Sequence, residues 1–564
     1  MENFEDDDTI EKPYIPIKKP PVPCHLVPRN HLIHEKLQEI ETFLEDYMEQ
    51  NPAKYYKSKE LSLLTKLKTD YPELVFKPSD KNLGLTAMNL EDYNRIVMEH
   101  LDNPNNYSLV TSHVFGKERT LRNFIEELNV FIENYPGWHK NERKYLTTWL
   151  KLEKPDFPKF YCLPKLHKKG PLKGRPIAGA VKWVTTPVSK ILNLRLGPLL
   201  TPFETILKNS QTLVNDLSLL NELPNALPQE PLLMVTADVV SLYPSINTEI
   251  LIKLIGELDL TLEPMTRFVC QNAYVEYCNK IYLQKTGIAM GTNAAVHLAN
   301  YYMYQLIDRH IKDHPLMFYY RRYIDDCFFL WKGSLDEWLQ FQTFLNQITT
   351  SIRFEFSKPS YEHQAFLDVN IYFYNQRFHS TVFQKELNKY FYITPESNHV
   401  PHTFSGFIKG ELTRYARLSS DPHAYETTKR LFYERLLKRG YSRLYLNRIF
   451  FKHHWNIREF EKSTSNKALL PMIIPYTYRK NMPFVETFFK DLEPAFCQYI
   501  DNSCVKLIYS KTKNTMELIS ASDLEASQKV SLSQSSSNKR KMASNIGSNS
   551  KRARQTPQTG SSKA

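Results

Sequence analysis

The chain is 564 residues long, 42% hydrophobic and 13% aromatic with only 16 glycines, so it can bury several sizeable cores and is not disordered throughout. Lysine and arginine exceed aspartate and glutamate, 73 against 61, for a net charge of +12, which suits a polyanionic partner better than a basic one. The seven cysteines form no CxxC or CxxH pair, no run approaches the roughly 18 apolar residues of a membrane span, and the opening MENFEDDDT is acidic; a soluble intracellular protein without disulfides is expected.

Residues 1–150 read as a helical N-terminal extension, because HEKLQEIETFLEDYMEQ and KERTLRNFIEELNVFIENY repeat apolar residues at spacings of three and four. From 151 to 385 the pattern changes to short β-rich runs (KFYCLPKL, PLLMVTADVV, YYRRYIDDCFFLW, AFLDVNIYFY) broken by helical stretches such as AVHLANYYMYQLIDRHI, an α+β core. Residues 386–521 return to helix. Residues 522–564, rich in Ser, Asn and Gln and almost free of large apolar side chains, read as a disordered basic tail.

The chemistry concentrates at two points. In FYYRRYIDDCFFLW, Asp325 and Asp326 stand side by side within an apolar, aromatic hairpin. Two carboxylates about 4 Å apart repel by about 4 kcal/mol at an effective dielectric near 20, and a divalent cation is the obvious remedy. Magnesium prefers a few carboxylates plus substrate phosphates, and a third carboxylate, Asp238, ends the apolar run LLMVTA. Three carboxylates on adjacent strands suit two metal ions and an in-line phosphoryl transfer.

Four motifs then resemble the palm and fingers of a reverse transcriptase: YIDD at 323–326, ADVVSLY at 237–243, KTGIAMGTNAAVHLANYYM at 285–303, and YCLPKLHKKGPLKGRPIAG at 161–179. DVVSLYPSI also resembles the first motif of family B DNA polymerases, but YIDD and GIAMG replace that family's Asp-Thr-Asp hairpin and Lys-bearing helix. Within reverse transcriptases the chain is most similar to the Penelope-like elements, relatives of telomerase, through KPSDKNLGLTAMNLEDYNRIVMEHLDNPNNYSLV, LPKLHKKG, AFLDVNIYF and SNHVPHTFSGFIKGELTRYARL, roughly residues 75–450. It lacks that group's GIY-YIG endonuclease motif, has Thr286 where many reverse transcriptases have Gln, and has Thr292-Asn293 in place of Ser-Pro.

The resemblance implies a right-hand polymerase with fingers and palm at 151–385, a thumb in 386–521, and RNA-directed DNA synthesis from a primer 3′-hydroxyl using deoxynucleoside triphosphates. It gives Asp238, Asp325 and Asp326 the role of holding two Mg²⁺ ions, with Mn²⁺ an acceptable substitute, and makes Lys358 the candidate proton donor to pyrophosphate. Lys165 and Arg175 would hold the triphosphate, Tyr243 would exclude a 2′-hydroxyl, and Gly287 and Gly291 would let backbone approach a base or sugar with no Cβ in the way.

The RNA template and DNA primer would lie along the thumb, where Lys429, Arg430, Arg435, Lys438, Arg439 and Arg443 stand beside Phe432, Tyr433 and Tyr441. In the tail, KRK at 539–541 and KRAR at 551–554 resemble a bipartite signal for a nuclear import receptor, which implies a nuclear protein, or otherwise a cytoplasmic one, without membrane attachment. A retroelement enzyme or a host-adopted copy fits this pattern. An inactive nucleic-acid-binding scaffold and a template-independent terminal transferase remain open alternatives.

Overall fold

The structure is a computed structural model that describes residues 71–456 apart from 112–113, 167–169, 224–226, 386–387, 398 and 400, with a few positions before 71 and the strands Leu470–Thr477 and Ser503–Ser510. The expected helix around HEKLQEI, most of 457–521, and the whole tail with KRK and KRAR lie outside the described residues.

The described chain opens on a hairpin of β1 (Leu74–Pro78) and β2 (Leu85–Asn89), followed by α1 (Leu90–Leu101) and β3 (Tyr107–Thr111). Two helices follow, α2 (Val114–Asn134) and α3 (Lys140–Leu152), the second begun by a reciprocal cap between His139 and Glu142. Then come β4 (Lys159–Pro164), β5 (Gly174–Gly179), α4 (Thr185–Leu200) and α5 (Ser210–Glu222). β6 (Leu233–Val239) runs into the short α6 (Leu242–Ser245), then α7 (Thr248–Leu258), α8 (Glu263–Gln271), β7 (Tyr274–Tyr277) and β8 (Lys280–Gln284).

A long helix follows in three parts: α9 (Ala295–Met303), a wider π turn at Tyr304–Asp308, and α10 (Arg309–Lys312). The hairpin β9 (Met317–Tyr323) and β10 (Asp326–Trp331) comes next, then α11 (Leu335–Leu345), β11 (Phe354–Phe356), β12 (His363–Phe366), β13 (Val369–Tyr374) and β14 (Arg377–Val382). Three helices close the described core: α12 (Pro401–Leu418), α13 (Pro422–Lys438) and α14 (Arg443–Phe450). Asp421 and Ser442 accept hydrogen bonds from the first-turn amides of α13 and α14, and Gly440, at φ +95°, makes the turn between them.

The architecture is mixed α and β. A four-stranded antiparallel sheet in the order β11-β6-β10-β9 is the centre; a five-stranded sheet in the order β3-β8-β7-β4-β5 and a three-stranded sheet β12-β13-β14 flank it. Its inner face packs Val235, Cys327, Phe329 and Trp331 on α9, α11 and the helices around Leu251 and Met265.

Two boundaries read from the sequence do not divide the fold. β3, from the segment expected to be helical, is the edge strand of the sheet that contains β4 and β5, and β1, β2 and α1 share a core with Phe160 and Cys162. These short strands carry too few alternating residues to compete with the longer helical signals around them. At the other end, Ile371, Phe378 and Val382 of the small sheet share one core with Ile408, Leu412, Phe432 and Leu436, so residue 385 is not a domain edge either.

Candidate active site

Apolar residues fill β6 (Leu233, Met234 and Val235 are buried) and β10, so both strands sit inside the sheet, and their antiparallel register places Asp238 directly opposite Asp326. Opposed residues in such a pair have Cα atoms about 4.5–5.5 Å apart and project from the same face. The Val239 amide donates to the Asp325 carbonyl at 2.9 Å, tying the end of β6 to the hairpin tip. On the other side of β6, Glu355 is the register partner of Asp238. The row across the sheet therefore reads Glu355, Asp238, Asp326, Tyr323.

The tip itself is strained. Tyr323 pairs with Asp326, leaving Ile324 and Asp325 as a two-residue loop, and Ile324 has φ +59°, a left-handed conformation that a β-branched residue rarely adopts and that Gly usually fills. The restraint comes from Arg322, which is wholly buried. Its guanidinium donates to the Ile324 carbonyl at 2.9 Å, to the Asn300 side chain at 2.9 Å and to Asp308, with a 2.7 Å ion pair. Asp308, at the end of the π turn, also accepts from the Tyr320 hydroxyl at 2.9 Å and from Thr205 at 3.0 Å. Burial opposes the charge on Arg322, but Asp308 outweighs it and holds the guanidinium more strongly protonated than usual.

The carboxylates feel one another. Burial, then Asp325, then Asp238 push the Asp326 carboxyl up to about 6, opposed by the cations of Lys385 and Lys81. Tyr243 stands beside this group on α6: its hydroxyl is pushed up to about 12 by burial, then by Asp325 and Tyr323. α6 is entered through Ser241 at φ +51°, and the Ile288 amide fixes the Tyr243 carbonyl at 2.9 Å.

The protein's own backbone requires a glycine at both positions expected to approach nucleic acid. A Cβ on Gly287, at φ +77°, would lie 2.5 Å from the Tyr243 carbonyl oxygen, and one on Gly291, at φ +126°, would lie 2.0 Å from the Ala178 carbonyl oxygen. The turn between them ties β5 to α6; the Met290 carbonyl accepts from the Ala178 amide at 2.9 Å.

The remaining expected residues divide. Arg175, at the start of β5, is about half exposed with its Nε 3.4 Å from the buried Asp80, which lies in the turn between β1 and β2. Lys165 sits where β4 ends, its amide bonded to the Lys173 carbonyl at 2.9 Å; its charge is felt at His100, whose pKa is lowered chiefly by burial. Lys358 is not brought to the carboxylates. It follows β11 beyond Ser357, whose amide bonds to Thr236, so it lies alongside the far part of β6 and is exposed. In the helical lobe Arg439 is committed to the Tyr392 carbonyl at 2.7 and 3.0 Å, while Lys438 and Arg443 are exposed. Lys429 donates to the His453 carbonyl, Arg435 lies 3.6 Å over the Tyr390 ring, and Arg430 pairs with Glu434.

Sequence reading missed Glu355, Lys81, Lys385 and Arg322. The alternation Phe354-Glu355-Phe356 was the one usable signal for the first, since both phenylalanines turn inward. Nothing local marks the other three.

As the side chains stand, no three His, Cys, Asp or Glu residues among the described residues converge as a ready-made ion site. The donor set nevertheless fits a hard divalent cation: all-oxygen ligands, an Asp326 carboxyl raised by burial and then by its carboxylate neighbours, and strand register that a change of side-chain rotamer can turn into shared coordination.

Residues 391–451 match the family described as the animal helix-turn-helix domain. No curated protein matches the sequence. Among solved structures the chain is similar to telomerase from Candida albicans in complex with a TWJ fragment of telomeric RNA, at 11% identity and TM-score 0.47, over 67% of this chain and 64% of that one. It is also similar to apo telomerase from Candida tropicalis (10%, TM-score 0.40, 67% of this chain and 69% of that one) and to the RNA-dependent RNA polymerase of BmCPV at elongation state (9%, 0.35, 60% and 31%). The chain thus spans 64% of the length of the Candida albicans protein.

Proposed function

We propose that the chain is an RNA-directed DNA polymerase of the Penelope-like kind, extending a primer 3′-hydroxyl with deoxynucleoside triphosphates on an RNA template. The observation that carries this reading is the register pair Asp238 and Asp326 with Asp325 on the adjoining hairpin tip and Tyr243 beside them. Asp238, Asp325 and Asp326 would hold two Mg²⁺ or Mn²⁺ ions, which when bound lower the pKa of the attacking hydroxyl and offset charge on the departing pyrophosphate. The buried Arg322 keeps the hairpin tip in its strained turn, so the two tip carboxylates are presented in fixed geometry. Tyr243 limits space at the sugar and Arg175 offers its fork to the phosphates. The tail motifs KRK and KRAR would bring the enzyme to the nucleus through an import receptor.

The experiment is primer extension on RNA, DNA and no template. Asp325→Asn is expected to lower incorporation by about 10³ or more while primer–template binding persists, since two-ion positioning supplies several kcal/mol. Extension by that variant at the wild-type rate would remove the assignment. The helix-turn-helix match over 391–451 favours a second reading, a nucleic-acid-binding protein without polymerase activity, and wild-type protein that binds duplex but incorporates nothing would select it. Extension without template would select a terminal transferase.

A further inference from the structure

The three-stranded antiparallel sheet β12-β13-β14 has two faces that differ in kind. Alternate residues of a strand point to opposite sides. One side carries Phe366, Ile371, Phe378 and Val382, buried in the core shared with the helical lobe, and Phe366 lies 5.5 Å from Phe328 of the central sheet. The other side is turned away from the central sheet, and its residues are half-buried or exposed.

Strand register sets that open side in rows. His363, Tyr372 and His379 lie across the sheet in one row, and Tyr374 and Arg377 form the next, beside a two-residue turn in which Asn375 and Gln376 have φ +52° and +55°. The row on the other side of Tyr372 holds Asn370 and Thr381. None of the three rows contains a carboxylate or a large aliphatic side chain.

The rings already form stacks. Tyr374 lies on His379 with centroids 3.9 Å apart and planes 6° from parallel, and His363 faces Tyr372 at 6.0 Å and 21°. Tyr374 is nevertheless 52% exposed. Burial lowers the His379 pKa, opposed by Asp421 and reinforced by Arg377, so its ring is neutral in the stack. Arg377 itself is exposed and, unlike Arg435 and Arg439, makes no ion pair or hydrogen bond among the described residues.

We propose that this face binds an unpaired stretch of RNA, whose bases continue the stacks on Tyr372 and Tyr374 while Arg377 meets the phosphates. Every base has a flat π face, and aromatic side chains on an open antiparallel sheet are a platform for it. Tyr372 and Tyr374 stand two residues apart, about 7 Å along the strand, a distance that one unstacked nucleotide spans. Asn370 and Thr381 offer hydrogen bonds to a 2′-hydroxyl, the group that sets RNA apart from DNA. A protein partner held by aliphatic packing, or a lipid surface, would find no matching side chain here. The buried side and the tight turn pin the sheet, so the platform is in place before RNA arrives. The inference goes beyond the polymerase reading and does not depend on it, because such a platform serves a nucleic-acid-binding protein equally well.

The test titrates full-length protein into a short fluorescein-labelled single-stranded RNA, read by anisotropy, with and without a saturating RNA–DNA duplex to fill the cleft. Tyr374→Ala is expected to raise Kd about 5- to 150-fold, the worth of one stacked base, and the double variant Tyr372→Ala with Tyr374→Ala to raise it further, with little change in thermal melting. Tyr374→Phe keeps the ring and is expected to stay within about threefold of wild type. Arg377→Gln is expected to reduce the log–log salt slope by about 0.7, one phosphate contact on a single strand. DNA of the same sequence is expected to bind about threefold or more weakly, the loss of one hydrogen bond.

Wild-type Kd in the double variant overturns the proposal, and if that variant has also lost self-association in sedimentation, the face belongs to a second copy of the chain. Displacement of the RNA by the duplex overturns it too, by placing the strand in the cleft. Equal binding of the DNA overturns RNA as the occupant.

Discussion

The arginines of the β9–β10 hairpin and those of α13 and its following turn stand among similar aromatic neighbours, and the protein uses them differently. Arg322 is wholly enclosed, and its guanidinium is spent on Asp308, Asn300 and the Ile324 carbonyl. In the helical lobe the cations are graded: Arg435 and Arg439 are half-buried and support the segment Gln384–Tyr392, while Lys438 and Arg443 face solvent. A basic residue beside aromatics is thus no sign of nucleic-acid binding by itself. What separates the two uses is whether the donors are already satisfied by the protein.

The sharpest way to break this contrast is Arg322→Met. It leaves Asp308 buried without its partner, so a loss of about 3–5 kcal/mol is expected, read from the urea midpoint. A loss under about 1 kcal/mol would place Arg322 with the dispensable surface cations. In the lobe, Arg439→Gln should lower stability by about 1.5–3 kcal/mol, the range for a hydrogen bond to a charged group, and leave the salt dependence of duplex binding alone. Lys438→Gln with Arg443→Gln should do the reverse: melting unchanged, and the log–log salt slope reduced by roughly 0.9 for each phosphate that no longer meets a cation. An unchanged slope would put the duplex elsewhere.

The smallest effect concerns Asp326. Its folded pKa, about 6, lies above the ordinary carboxylate value of 3.8, so the folded chain holds this proton more tightly than the unfolded chain does. The stability it contributes is present below the lower value and is lost as pH rises through about 6. In chelator, Asp326→Asn should therefore melt higher than wild type at pH 8 and with little difference at pH 3.5. A difference that does not grow with pH would show that the three carboxylates do not crowd one another.

Much of the centre of the fold is legible in the sequence, because a carboxylate ending an apolar strand and a pair interrupting an apolar hairpin are both costly unless they face a common space, and the register brings Asp238 opposite Asp326. What failed to show depends on distant residues. Glu355 is set opposite Asp238 by strand pairing, and Lys81 and Lys385 oppose the rise at Asp326 from distant parts of the chain, with no local pattern to link them. Lys358 looked well placed in sequence, but strand direction carries it along β6 away from the carboxylates. Gly287 and Gly291 both refuse a Cβ, yet the obstacle is the Tyr243 and Ala178 carbonyls, knowable only once β5 and α6 are side by side. Arg439 stands out in the sequence by its charge, whereas its acceptor, the Tyr392 carbonyl, lies 47 residues earlier.

The strand order β11-β6-β10-β9 also sets a timetable for the nascent chain. β6 emerges from the ribosome with the apolar run Leu232–Val235 and finds neither of its sheet partners, since β10 begins roughly 90 positions later and β11 nearly 120. At 5–20 residues per second the strand waits on the order of 5–18 seconds with both edges unpaired, and up to about 25 seconds before the second edge has a partner. Pairing over such separations is slow even when both partners exist. The carboxylate row therefore cannot be completed before Glu355 has been made, and a chain stopped before Asp326 exposes an adhesive strand with no centre to join.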